Sequence, residues 1–189
     1  MKIFLDPGHG GNDPGAVGLA GTRESAIALR VALTTERYLV AAGHTVAISR
    51  DFDVETVGLS DRAHLANEWD AEALVSIHCN AADDRTAHGY EVWTTPGQTG
   101  ADPLAQALFI SMGRAFPSEP ARKDRSDGDD DKEAKFAVLR LTKAPACLVE
   151  LGFISHLPTE AAMQSPSWIA SAAGAIAVGI DAWIKRITP

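Results

Sequence analysis

The chain has 189 residues, of which 46% are hydrophobic and 22% charged, a composition typical of one globular domain. Its formal net charge of −8 argues against a nucleic-acid partner, because binding phosphates requires a basic surface. No apolar run approaches the roughly 20 residues of a membrane span, and Asp6 comes too early for the apolar segment of a signal peptide. We therefore expect a chain made in the cytoplasm without an export signal, and no membrane partner.

Apolar runs and periodic patterns alternate along the chain. In chain order they predict a strand over 2–6, a helix over 24–42, a strand over 45–49, a helix over 59–69, strands over 73–78 and 90–94, helices over 101–116 and about 132–142, a strand over 146–151 and a helix over 167–185. Such alternation is typical of an α/β fold. We predict a single domain over residues 1–189, with a mostly parallel, twisted sheet of about five to six strands and helices on both faces.

Three segments carry weaker signals. The glycine-rich segment 8–15 is not followed by Gly-Lys-Ser/Thr, which argues against a phosphate-binding loop. The polar stretch 118–135 contains acids at 127–131 without the spacing or closing Glu of a calcium-binding loop, so we predict a solvated loop. Cys79 and Cys147 lie within β-like runs, where we expect them to be small buried side chains.

Four side chains that can bind metal or transfer protons stand next to predicted elements. His9 follows the first strand, Glu24 begins the first long helix, and His78 and Glu150 lie at the ends of apolar strands. Ligand sites in open α/β sheets gather beyond the carboxyl ends of the strands, so we expect all four in one crevice. Two imidazoles and a carboxylate can hold a zinc ion with one position open for water, and a further carboxylate can act as general base.

These four residues belong to longer motifs that run in order along nearly the whole chain. The motifs include Asp6-Pro7-Gly8-His9-Gly10-Gly11, Glu24, Ser76-Ile77-His78-Cys79-Asn80, Gly89-Tyr90-Glu91-Val92 and Pro145-Ala146-Cys147-Leu148-Val149-Glu150-Leu151-Gly152-Phe153. In them the chain resembles the zinc-dependent N-acetylmuramoyl-L-alanine amidases, often called type 3 amidases. It departs from the family pattern at Cys79, where alanine is usual, and in the variable stretch 118–135.

The resemblance implies the roles of the four residues. His9, Glu24 and His78 would bind one Zn²⁺ per chain, and Glu150 would be the catalytic carboxylate. The implied reaction is hydrolysis, by zinc-activated water, of the amide between N-acetylmuramic acid and the first L-alanine of the stem peptide, with peptidoglycan as the partner. Glu150 would take a proton from the water and return it to the leaving nitrogen.

Other roles and alternatives stay open at this stage. Asp6 and Asn80 are predicted to accept hydrogen bonds from the ring N–H groups of the ligand histidines. His88 is predicted to face substrate, and His156 is predicted to lie at the edge of the cleft. A zinc peptidase that cuts within the stem peptide and a non-catalytic wall-binding module are the alternatives. The compact length resembles a phage endolysin acting on the host wall, although a trimmed cellular enzyme would look the same. We expect a monomer whose site is open without an activator.

Overall fold

The computed structural model describes residues 1–126 and 128–187. Within them, the elements in chain order are β1 (Lys2–Pro7), α1 (Glu24–Ala41), β2 (Thr45–Ile48), α2 (Leu59–Glu68), β3 (Ala73–Asn80), β4 (Glu91–Thr94), α3 (Asp102–Ala115), β5 (Lys132–Glu133), α4 (Ala137–Leu141), β6 (Ala146–Phe153), α5 (Leu157–Met163) and α6 (Pro166–Ile187). Most predicted elements are therefore present, with ends that shift by one or two residues.

The six strands form one sheet in the order β2-β1-β3-β6-β4-β5. Strands β2, β1, β3 and β6 are parallel, whereas β4 runs antiparallel to β6 and parallel to β5. The predicted fold class, an α/β domain with a mostly parallel sheet, is confirmed. Because β1, β3 and β6 are parallel neighbours, their carboxyl ends meet at the same edge of the sheet, and the antiparallel β4 begins there.

Helices cover both faces of the sheet. The larger core lies against α1, α3 and α6, and the smaller one against α2 and α4. Successive residues of β1 show the division, since Leu5 belongs to the larger core and Phe4 to the smaller. Strands covered on both faces read as continuous apolar runs, as the central strands here do. Cys79 and Cys147 are buried free thiols, as predicted.

The prediction of one helix over about 132–142 is wrong. Lys132–Glu133 instead forms β5, and only Ala137–Leu141 is helical. Lys132 pairs with Trp93 of β4, so sheet pairing with a distant segment overrides the local preference for helix. The sequence analysis also missed α5, a helix of seven residues that is too short to show a periodic pattern.

Two segments differ from expectation in their exposure or polarity. The described part of the acidic stretch is not fully solvated, because Asp131 is only 2% exposed; Asp127 of the same stretch lies outside the described residues. Helix α6 is long and apolar enough to cross a membrane by length and composition, against the expectation of no such segment. Its apolar face packs on α1 and α3, so the core accounts for this apolar character.

Candidate metal centre and catalytic site

Glycines in the loop after β1 allow the predicted metal ligands to approach each other. A Cβ atom on Gly8 would lie 2.5 Å and 2.6 Å from the two ring nitrogens of His78. A Cβ on Gly15 would lie 2.6 Å from both Glu24 Oε2 and His9 Cδ2. His9 itself has a φ of +57°, a left-handed conformation that non-glycine residues rarely adopt and that clusters at functional sites. The loop is thus shaped around these side chains.

The structure brings His9, Glu24 and His78 together. Glu24 Oε1 lies 3.2 Å from His9 Nε2 and 2.9 Å from His78 Nδ1, and one potential ligand atom of each residue lies within 4.8 Å of the others. Glu24 is almost fully buried, and it accepts hydrogen bonds from the backbone N–H groups of Ala16 (2.9 Å) and Cys79 (3.0 Å). The carboxylate is therefore fixed in place by the loop after β1 and by strand β3.

The charges of this cluster favour a cation. Burial works to raise the pKa of Glu24, but hydrogen bonds and charge from His78 and His9 hold it well below its ordinary value. The hydrogen bond to Glu24 in turn raises the pKa of His9 to about 9, against the opposing effect of burial. The cluster thus holds positive charge strongly, either as a proton on His9 or as a metal ion.

Asp13 fixes the ring of His9. Its Oδ2 lies 2.8 Å from His9 Nδ1, while its Oδ1 accepts a hydrogen bond from the backbone N–H of Gly15. A carboxylate on one ring nitrogen sets the tautomer and leaves the other nitrogen, here Nε2, free to bind a metal. No role was predicted for Asp13 from the sequence. The available signal was the spacing of four residues between His9 and Asp13 inside a glycine-rich loop.

Asp6 was predicted to accept hydrogen bonds from the ligand histidine rings, but its hydrogen-bond partners are other side chains. The fully buried carboxylate is 2.6 Å from Nη1 of Arg62 and accepts hydrogen bonds from Ser49 and Ser76, both at 2.7 Å. Arg62 also donates to the backbone carbonyl of His9, at 2.6 Å. The Asp6–Arg62 pair therefore supports the backbone of the glycine loop that carries His9.

Glu150 lies on β6 directly opposite His78 of β3 and Glu91 of β4 in the strand register. Its Oε2 is buried and has no hydrogen-bond partner among the described residues. Burial, with the charge of Glu24 and Glu91 added to it, raises the pKa of Glu150 to about 7. A carboxyl group that titrates near neutral pH beside a potential metal cluster is suited to moving protons.

Comparison with known proteins shows the family. A sequence model of the N-acetylmuramoyl-L-alanine amidase family matches residues 3–182. The chain belongs to the N-acetylmuramoyl-L-alanine amidase family. It is 34% identical over 183 residues to the sporulation-specific N-acetylmuramoyl-L-alanine amidase of Bacillus subtilis (strain 168), with 96% of this chain and 67% of that protein covered. The resemblance to the N-acetylmuramoyl-L-alanine amidase family is confirmed, and zinc dependence stays a prediction.

Two further comparisons, with an endolysin and with a solved amidase structure, also extend over most of the chain. The chain is 32% identical over 185 residues to the endolysin of Bacillus phage SPP1, covering 94% of this chain and 64% of the endolysin. The fold matches the crystal structure of the N-acetylmuramoyl-L-alanine amidase from Clostridium difficile 630 with a TM-score of 0.89 and 31% identity, covering 99% of this chain and 98% of the other. This amidase-family fold therefore extends over nearly the whole chain.

Glu91 is a further buried carboxylate at the candidate site, and no role was predicted for it from the sequence. It is 2% exposed and begins β4 at the edge where Glu150 lies. Its oxygens accept hydrogen bonds from Asn80 Nδ2 (3.0 Å), Trp93 Nε1 (3.1 Å), Arg122 Nε (2.8 Å) and Lys132 Nζ (2.9 Å). Asn80 thus contacts Glu91, although it was predicted to accept from a ligand histidine. The available signal was an acid at one end of an apolar strand: Glu91 stands at the start of β4, whereas Glu150 follows the apolar residues of its own strand.

The remaining candidate histidines lie side by side. The rings of His88 and His156 stack with centroids 5.0 Å apart. Glu119 lies 3.2 Å from Nδ1 of His88, and Thr159 Oγ1 lies 2.8 Å from Nδ1 of His156. The contact with substrate predicted for His88 and the position at the cleft edge predicted for His156 both stay predictions.

Proposed function

We propose that this chain hydrolyses the amide bond between N-acetylmuramic acid and the first L-alanine of the peptidoglycan stem peptide, with zinc as its cofactor. One observation carries the proposal: the potential ligand atoms of His9, Glu24 and His78 converge beside Glu150, whose Oε2 has no hydrogen-bond partner in the residues that the structure describes. The names of the relatives, which specify N-acetylmuramoyl-L-alanine amidase, support the choice of bond.

The donor set fits a zinc ion. His9 Nε2, Glu24 Oε1 and His78 Nδ1 would hold one ion per chain, and two imidazoles with one carboxylate are ligands of known catalytic zinc sites. Asp13 would keep the His9 ring in the metal-binding tautomer. When bound, zinc supplies a Lewis acid that lowers the pKa of water and polarises a carbonyl group.

Glu150 would perform the proton transfers. Its unpartnered Oε2 can accept a proton from the attacking water, and the same carboxyl group can deliver that proton to the nitrogen of the departing alanine. A pKa of about 7 suits both steps near neutral pH, because the group then accepts and releases a proton at similar cost.

The two alternative functions are less well supported. A non-catalytic wall-binding module has no use for a buried carboxylate without a partner, which costs stability. A peptidase that cuts within the stem peptide would use the same chemistry, but the relatives described above include N-acetylmuramoyl-L-alanine amidases. We further propose that residues 1–189 act as one monomeric catalytic domain on the cell wall. Similarity to an endolysin supports a setting in phage lysis.

The first experiment compares Glu150→Gln with wild-type protein and with Glu68→Gln, an exposed glutamate on α2. Dye release from labelled peptidoglycan should fall by about 10³-fold in Glu150→Gln and stay unchanged in the control. Elemental analysis should find one zinc per chain in both. His9→Ala and His78→Ala should instead lose zinc.

Mass spectrometry of the products separates the alternatives. Intact stem peptides with new L-alanine amino termini are expected, and a chelator should abolish their release until zinc is restored. Fragments cut within the stem peptide would favour the peptidase. Binding of peptidoglycan without any release by the zinc-loaded protein would favour the binding module. A Glu150→Gln variant with wild-type activity would contradict the role given to that carboxylate.

A further inference from the structure

Three aspartates from two distant parts of the chain meet at the end of β4 that lies away from Glu150. Asp102 begins α3, whereas Asp129 and Asp131 belong to the loop before β5. One carboxylate oxygen from each lies within 4.8 Å of the other two. The sequence analysis considered only the local spacing of the acids over 127–131, so it had no means of adding Asp102 to them.

Two of the carboxylate oxygens have no hydrogen-bond partner within the described part of the chain, although they are buried. These atoms are Oδ1 of Asp129 and Oδ1 of Asp131. Asp131 is only 2% exposed, and its other oxygen accepts a hydrogen bond of 2.6 Å from Thr94 Oγ1, at the end of β4. The backbone N–H and the hydroxyl of Thr99 hold Asp102 in the same way. The carboxylates are thus fixed while two buried oxygens stay unsatisfied, which costs stability.

Positive side chains do not compensate these carboxylates. Across residues 1–126 and 128–187, no Lys or Arg nitrogen lies within 4.0 Å of their oxygens. Lys123 and Arg125 pair instead with the neighbouring Asp130, at 2.7 Å and 2.9 Å. Burial, with the charges of Asp129 and Asp102 added to it, raises the pKa of Asp131 to about 7. The loop therefore concentrates negative charge at a point where a cation would remove the repulsion.

We propose that Asp102, Asp129 and Asp131 bind a calcium ion. Carboxylate oxygens are the ligands of hard cations, and an ion among them would give both unpartnered Oδ1 atoms a partner. Calcium suits an irregular loop because it accepts six to eight oxygens in flexible geometry, whereas magnesium requires a near-ideal octahedron. The ion would tie the loop to α3 and β4.

The site is separate from the candidate zinc centre, and the proposal does not depend on the proposed function. Thr94, beside Asp131, ends β4, while Glu91, beside Glu150, begins it. The loop nevertheless leads into β5, where Lys132 donates to Glu91. Bound calcium would therefore hold in place the segment that carries Lys132, one of the hydrogen-bond partners of Glu91.

The test uses zinc-loaded protein from which calcium has been removed with a chelating resin before one equivalent of zinc is restored. Calorimetric titration with CaCl₂ should show one calcium per chain with a Kd of about 0.1–1 mM, the range of extracellular calcium modules. At about 10 mM calcium the melting temperature should rise by about 5 °C if the Kd lies at the tighter end of that range. Zinc content, measured in the same samples, should not change.

Single substitutions test whether calcium binds at these three aspartates or responds only to the overall negative charge of the loop. Asp131→Asn and Asp102→Asn should lose calcium binding, and each should melt at a higher temperature than calcium-free wild type because repulsion is relieved. Asp130→Asn is the matched control, since Asp130 lies in the same loop but pairs with Lys123 and Arg125. It should bind calcium as wild type does.

Four outcomes would overturn the proposal. One is a folded wild-type protein without heat of binding or a melting shift up to about 10 mM calcium. A second is calcium binding that survives in folded Asp131→Asn. Equal affinity for magnesium would overturn the choice of calcium. The fourth is a melting temperature that does not change with calcium but rises from pH 8 to pH 6. If that rise requires Asp131, the carboxylates share a proton instead of binding calcium.

Discussion

Replacing Gly8 with alanine tests whether the ring of His78 must lie against the glycine loop. The added Cβ would lie 2.5 Å and 2.6 Å from the two ring nitrogens, whereas ordinary contact with a Cβ begins at about 3.4 Å. The ring must therefore withdraw by more than about 0.9 Å, which is the difference between 3.4 Å and the 2.5 Å of Nε2, because ring atom Cε1 would lie closer still. Gly8 does not have a positive φ, so alanine fits the backbone and only the close approach is changed.

A shift of this size is large for a metal site. Zinc–ligand distances vary by only about 0.2 Å, and misplacing a reacting group by about 1 Å can cost about 10²-fold in rate. We expect Gly8→Ala to weaken zinc binding by about 10-fold to 100-fold, and to lower kcat/KM on peptidoglycan by about 10²-fold at a fixed zinc concentration. Competition with a zinc-binding dye measures the affinity, and dye release from labelled peptidoglycan measures the rate.

Gly100→Ala is the matched control, because a Cβ at that position meets nothing within 4 Å. It should leave affinity, rate and circular dichroism unchanged. If Gly8→Ala is folded and binds zinc with wild-type affinity, the reasoning fails. Either His78 is not a ligand, or its position does not depend on contact with the loop.

Three further predictions concern the groups around the metal cluster. Asp6→Asn should lower the free energy of unfolding by about 3 kcal/mol, because Arg62 would stay buried without its carboxylate partner. Urea unfolding measures this free energy, and a loss below about 1 kcal/mol would contradict the prediction. Asp13→Asn should weaken zinc binding by about 10-fold with little change in stability, since the ring of His9 loses the carboxylate that orients it. Unchanged zinc affinity in dye competition would argue against an orienting role for Asp13. In the metal-free protein, Glu24 raises the pKa of His9 from 6.5 to about 9, so their attraction is fully present below pH 6.5 and is lost as the pH rises through about 9. The melting temperature should fall over this range, and a similar fall in His9→Asn would refute the assignment.

The main elements and the edge that carries the site could be predicted from the sequence because their signals are local. Apolar runs mark the buried strands, and the parallel arrangement places the residues after β1 and at the ends of β3 and β6 at one edge. His9, His78 and Glu150 could therefore be expected together before any contact was known. The helix predicted over 132–142 failed because β5 forms by pairing with β4, and no local pattern encodes that partner.

Partners of side chains were decided only by the tertiary structure. Asp6 and Asp13 are both acids near His9 in the sequence, but the fold places Arg62 and two serines around Asp6 and leaves Asp13 to contact the ring. The cluster of Asp102 with Asp129 and Asp131 likewise exists only because α3 and the loop before β5 meet at the end of β4. Residue type and apolar period thus determined which chemistry the chain can perform and at which edge of the sheet. Hydrogen-bond partners are set by distances of about 3 Å between segments far apart in sequence, so only the packed fold could choose among them.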